Sequence, residues 1–179
     1  MKRIILVTGP PGIGKTSILL RTVKELKQNY TVGGMVCHEV REGGLRVGFE
    51  VMDLSTEQRG WLAHVNQITG PSIGRYHVNL IDLDVVGAGS IIDAIHNADV
   101  LVIDEIGPME LLSSAFSKAL LQAVQSSKPL LGTIHYRFNN IIIKRIKVRE
   151  DTEIINVTRE NRSTLHKAVA YKITNCLVS

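Results

Sequence analysis

Eight consecutive residues constrain this 179-residue chain more than any others. Gly9, Pro10, Pro11, Gly12, Ile13, Gly14, Lys15 and Thr16 satisfy the pattern G-x-x-x-x-G-K-[ST]. The pattern follows the apolar run Ile4-Ile5-Leu6-Val7 and precedes a stretch in which Leu19, Val23, Leu26 and Tyr30 keep helical spacing. Strand, glycine-rich turn and helix in that order are the context in which such a pattern makes a phosphate-binding loop. The glycines let the chain turn tightly, so that backbone N–H groups point inward around phosphate oxygens. A helix beginning near Gly14 adds the positive end of its dipole. Lys15 is expected to reach the β and γ phosphates, and the Thr16 hydroxyl to ligate Mg²⁺. Ser17 completes the stretch expected to line a bound triphosphate.

The rest of the chain repeats the same two kinds of segment. Apolar runs at Asp99–Asp104 and Pro129–Ile134 show little polar alternation, as strands covered on both faces do. Helical patterns lie around Val85 to Ile95 and from Leu111 to Val124, and Leu165, Val169, Ile173 and Leu177 recur four residues apart. The alternation predicts an α/β fold with a mostly parallel central sheet flanked by helices. Residues 33–53 differ: Leu45, Val47, Phe49 and Val51 alternate with Arg46, Gly48, Glu50 and Met52 after Gly43-Gly44, which predicts an inserted β-hairpin. Gly60 to Gly74, with Gly70-Pro71 inside, reads as loop. Without a repeat or a shift in composition, residues 1–179 read as one domain.

A second chemical element ends the run Val100-Leu101-Val102-Ile103, which delivers Asp104 and Glu105. A buried strand carrying a carboxylate at its C-terminal end suits a Mg²⁺ partner for the phosphate loop. Asp104 is expected to hold the ion, a helix cap being the plainer alternative. Glu105 then either accepts a proton from, or orients, the water attacking the γ-phosphoryl group; otherwise it is a solvated residue of the next turn. Thr133 and His135 end another strand where a γ-phosphate would lie, and either a phosphate contact or a structural hydroxyl fits them. Arg137, Lys144, Arg145, Lys147 and Arg149 form a run of cations interleaved with apolar residues. Such a run is a solvated helix face or a lid bringing an arginine over developing charge.

Composition removes other classes. Lys and Arg number 21 against 17 Asp and Glu, and the net charge of +4 suits a polyphosphate ligand better than a duplex. Aromatic residues make up 4%, which leaves few platforms for stacked bases, so nucleic acid is not an expected partner. Cys37 and Cys176 are too few for a disulfide framework. The apolar run after Met1-Lys2-Arg3 is too short for a signal peptide, and no run approaches a membrane span. The expectation is a cytoplasmic monomer without membrane contact.

Several segments together resemble one family. Glu39-Val40-Arg41-Glu42-Gly43-Gly44-Leu45-Arg46-Val47-Gly48-Phe49 resembles its E-V-R-x-x-G-x-R-x-G-F hairpin. Asp104-Glu105-Ile106-Gly107-Pro108-Met109-Glu110-Leu111 resembles its D-E-I-G-x-M-E-L motif, and Asn156-Val157-Thr158-Arg159-Glu160-Asn161-Arg162 its N-V-T-x-E-N-R segment. These are the Thep-type, or cancer-related, nucleoside-triphosphatases of the P-loop superfamily. The resemblance implies a RecA-like core and Mg²⁺-dependent hydrolysis of ATP, GTP and other nucleoside triphosphates with loose base selectivity. It supports the phosphate loop and the pair Asp104-Glu105, points to Asn161 and Arg162 as nucleotide-binding positions, and draws attention to Arg41 and Arg46. Two other readings stay open: a nucleotide or nucleoside kinase passing the γ-phosphoryl group to a second substrate, and a nucleotide-bound switch or assembly module.

Overall fold

The three apolar runs become the buried centre of a single sheet in the computed structural model, which describes residues 1–178. They are β1 (Ile4–Thr8), β7 (Val100–Ile106) and β8 (Leu130–Ile134), and every residue of β1 and β8 is buried. Between them run β2 (Val32–Glu42), β3 (Leu45–Asp53), β4 (Arg59–His64), β5 (Ser72–Ile73) and β6 (Tyr76–Val78), and β9 (Thr152–Asn156) follows them. The nine strands lie in the order β5-β6-β4-β3-β2-β7-β8-β1-β9. From β2 to β9 all pairings are parallel, and from β2 outward to β5 all are antiparallel. The parallel core is as expected, but the sheet as a whole is mixed.

The difference has a local cause. The first part of β2 pairs parallel with β7, Val32 opposite Val100 and Met35 opposite Ile103. The second part pairs antiparallel with β3, Met35 opposite Asp53 through Glu42 opposite Leu45. The expected hairpin is therefore present and continues the core sheet. The loop reading of 60–74 holds for residues 65–71 but not for its two ends, where β4 pairs with β3 and β5 with β6. Gly70-Pro71 directly precedes the two-residue β5, and Gly60 masks β4, whose burial is concentrated in Leu62 and Ala63. Its register also shifts beside Phe49 and Glu50, which breaks the alternation a sequence reading depends on. The Trp61 backbone N–H donates to Asp82 Oδ2 at 2.8 Å, tying the strand to α2 (Leu80–Asp82).

Helices cover both faces. On one, α1 (Lys15–Leu26) and α6 (Leu165–Leu177) set Ile18, Leu19, Val23, Val169 and Ile173 against Ile5, Val7, Val102 and Leu131. Burying each of these large side chains contributes about 1.5–3 kcal/mol. The opposite face is covered by a π-helical segment (Leu83–Ala88), α3 (Gly89–Asn97) and α4 (Ser114–Gln125), with Ile91, Phe116 and Leu120 packed on Ile4, Leu6 and Ile103. The cationic run lies on and around α5 (Ile141–Lys147), which buries only Ile143 and Ile146 and leaves Val148 exposed. Among the described residues no helix is long and apolar enough to cross a membrane.

Candidate active site

The strand order sets the site's width. β8 lies between β1, which feeds the glycine-rich turn, and β7, which ends in the acidic pair. Thr133 pairs with Val7 on one side, while Gly132 pairs with Ile103 on the other. A phosphate cradle and a carboxylate thus face one another across a single strand.

The cradle is Gly9 to Ser17. Gly14 adopts φ 110°, a left-handed conformation that a side chain would strain, and there the turn becomes α1. No side chain caps the N-terminus of α1. Its first N–H groups are left for an anion, and the helix dipole favours one there. The Lys15 side chain is only 10% exposed; its Nζ donates to the Gly9 carbonyl at 3.3 Å and stands 3.9 Å from Glu105 Oε2. This cation therefore links the cradle to the acidic pair.

Asp104 is 1% exposed. The Thr133 hydroxyl donates to its Oδ1, whereas Oδ2 is buried with no hydrogen-bond partner among the described residues. An unpartnered carboxylate oxygen in such a place is an acceptor awaiting a donor or a cation. Burial pushes the Asp104 carboxyl above its ordinary range, opposed by the Thr133 and Thr16 hydroxyls and the Lys15 charge. Glu105 is raised too, by burial first, with Lys15 opposing and Asp104 adding to it. Among the described residues no three His, Cys, Asp or Glu side chains converge as a metal cage. A threonine hydroxyl with one carboxylate is instead the donor set of Mg²⁺ held mainly by phosphates and water. The residues present fit that ion.

Thr133, one of two weak candidates at the end of β8, is drawn directly into the site by this bond. His135 lies nearer its rim; partial burial and the Lys15 charge lower its pKa. Glu110 carried no role of its own in the sequence reading. It follows the acidic pair within the motif, is 5% exposed, and has its pKa pushed up to about 8 by burial, with Glu105 and Asp104 adding to the effect. The flanking Met109 and Leu111 are the sequence signal that could have pointed to its burial.

Beside the cradle, the turn after β9 is anchored by the Val157 N–H donating to the Thr8 carbonyl at 2.7 Å. Asn161 shapes that turn: its Oδ1 accepts from the Thr158 N–H and its Nδ2 donates to the Asn156 carbonyl, each at 2.9 Å. Arg162 is exposed. Arg41 and Arg46 lie at the hairpin's outer end, both paired with Glu39, and Arg46 also donates to the Tyr76 hydroxyl at 2.9 Å. Of the cationic run, Lys144, Arg145 and Lys147 are exposed and Arg149 is locked to Asp151 by two bonds of 2.8 and 2.9 Å. Arg137 lies exposed over the Tyr136 ring.

Comparison with known proteins gives consistent results. The model of a family described as "NTPase" matches residues 4–170. A protein of Thermofilum pendens named nucleoside-triphosphatase THEP1 is 47% identical over 172 residues, covering 95% of this chain and 94% of that protein. The protein of the same name from Methanosarcina acetivorans is 40% identical, covering 96% and 94%. The crystal structure of THEP1 from the hyperthermophile Aquifex aeolicus superposes with a TM-score of 0.85 at 25% identity, covering 95% of this chain and 98% of that one. The solution structure of a human cancer-related nucleoside triphosphatase superposes with a TM-score of 0.81 at 34% identity, covering 97% and 98%.

Proposed function

We propose how this chain, which belongs to the nucleoside-triphosphatase family that includes the THEP1 proteins and is itself a nucleoside-triphosphatase, carries out its reaction. Water attacks the γ-phosphorus of a nucleoside 5'-triphosphate, giving the diphosphate and phosphate. Backbone N–H groups of Gly9 to Ser17, the open N-terminus of α1 and Lys15 hold the phosphate chain. Little covalent chemistry is asked of the protein, so positioning and electrostatics dominate. Thr16 and Asp104 are the residues that would hold Mg²⁺, which when bound neutralises charge on the phosphate oxygens. Glu105 orients the attacking water and accepts its proton. Lys15, 3.9 Å away, favours the ionised form of Glu105 that this task needs.

The observation that carries this reading is the unpartnered Asp104 Oδ2 facing the Lys15 cradle across β8. Broad base selectivity follows from the turn after β9. The Asn161 side-chain amide makes two bonds within its own turn, which restricts how it can read a base edge. Exposed Arg162 offers a charged plane that any base can meet. The +4 charge and 4% aromatic content support action on free nucleotides with no polynucleotide partner. Turnover is slow, in the range of about 10⁻⁴ to 10⁻² per second typical of P-loop enzymes without an inserted arginine finger.

The test is phosphate release from a panel of triphosphates, each with Mg²⁺ or with a chelator, and with and without candidate acceptors. Release from ATP and GTP alike, abolished by the chelator and indifferent to acceptors, is the expected result. A phosphorylated acceptor as the main product would replace hydrolysis by the kinase reading.

A further inference from the structure

The turn that follows Glu105 contains one buried carboxyl group, that of Glu110. Glu110 opens a short 3-10 segment (Glu110–Leu112) and is 5% exposed. Its carboxyl group lies against the Gly107 backbone, where the nearby Gly107 N–H and its own N–H favour the ionised form against the effect of burial. The Gly107 carbonyl is held from the other side by the Leu111 N–H at 3.1 Å, and the Ile106 carbonyl by the His135 N–H at 3.2 Å. The peptide units just after Glu105 are thus pinned at several points.

The packing is close. A methyl group at Gly107 would lie 3.0 Å from Glu110 Oε2 and 3.6 Å from Glu105 Oε1. Both carboxyl groups therefore lie close to the Gly107 backbone, and a side chain there would press first on Glu110. We infer that Glu110 is a positioning residue for hydrolysis, its buried carboxyl group fixing the Gly107 peptide and thereby the reach of Glu105 toward the attacking water. A neutral acid at this place is consistent with a group pushed up to about 8, since its carbonyl oxygen still accepts while adding no charge beside Asp104.

The inference rests on the reading of Glu105 given above, and the test separates the two. Glu110→Met fills the same buried space without a strong acceptor, Glu110→Ala removes the group, and Glu110→Gln keeps a carbonyl oxygen of the same reach. Each is made in the wild-type and in the Glu105→Gln backgrounds. The measurements are the melting temperature, affinity for a non-hydrolysable triphosphate with Mg²⁺, kcat and KM. Displacing a catalytic group by about 1 Å lowers rates about 100-fold. Glu110→Met and Glu110→Ala are therefore expected to lose about 10- to 100-fold in kcat with affinity and KM changed less than about threefold, and Glu110→Gln to recover most of that loss. In the Glu105→Gln background the same changes are expected to have little further effect.

An unchanged kcat in Glu110→Met overturns the inference. So does an equal loss in both backgrounds, because that marks a general structural role. If Glu105→Gln alone retains full kcat, the assignment of Glu105 itself fails and this inference falls with it, a result visible in the single variant.

Discussion

Replacing Glu110 by Gln should change how stability depends on pH. The group is 5% exposed, and its pKa moves from an ordinary 4.5 to about 8 on folding, mainly through burial. A carboxyl group raised in this way does not oppose folding below pH 4.5, where it is neutral in both states. As pH rises from 4.5 to 8 the unfolded chain ionises while the folded one does not. Stability is then lost at up to about 1.4 kcal/mol per pH unit, and the total reaches about 5 kcal/mol above pH 8. Between pH 5 and pH 8 the loss is about 3.5 kcal/mol. The amide in Glu110→Gln does not titrate, so this loss disappears. For a chain of this size 1 kcal/mol is worth about 2–4 °C in melting temperature. The melting temperature of the variant minus that of the wild type should therefore grow by about 7–14 °C between pH 5 and pH 8. The assay is thermal unfolding with chelator and without nucleotide, so that no cation or phosphate alters the neighbouring charges. A difference that stays constant across this range would refute the reasoning.

Three further outcomes are expected. Lys15→Ala should lower triphosphate affinity or turnover about 100-fold or more while leaving the far-ultraviolet circular dichroism unchanged, because it removes the cation facing the phosphates and no core contact; binding and phosphate-release assays check this. Asp104→Asn should raise the Mg²⁺ concentration for half-maximal activity at least about tenfold, read from a metal titration at saturating nucleotide. Thr133→Val leaves the buried Asp104 Oδ1 without its donor and should destabilise the protein by about 1–3 kcal/mol, measured by denaturant unfolding.

What could be read in the sequence was local, and what could not was non-local. Ile4–Thr8, Val100–Ile106 and Leu130–Ile134 are short apolar runs whose burial on both faces shows in their composition alone. The phosphate loop needs only eight neighbouring residues and the strand and helix beside them. By contrast, β4 depends on β3 for its pairing, across a register shift that hides its alternation. The five-residue β9 is an edge strand beside β1, with burial only partial beyond Thr152. At the site, Lys15 and the acidic pair were legible because their residue types and spacing carry the chemistry. The Thr133 bond to Asp104 depends on which strand lies between β1 and β7. The burial of Glu110 depends on how the turn after Glu105 folds back beneath it. Asn161 shows the converse: its side chain closes its own turn, which a motif alone does not reveal.

The central claim is that Glu105 handles the attacking water while other residues hold the nucleotide. Single-turnover hydrolysis of radiolabelled ATP with Mg²⁺ by Glu105→Gln, beside a binding titration of the same variant, tests it most directly. The account predicts a dissociation constant within about threefold of wild type and a hydrolysis rate lowered about 10²- to 10⁴-fold, the usual contribution of a positioned base. A hydrolysis rate equal to wild type at the same occupancy would contradict it.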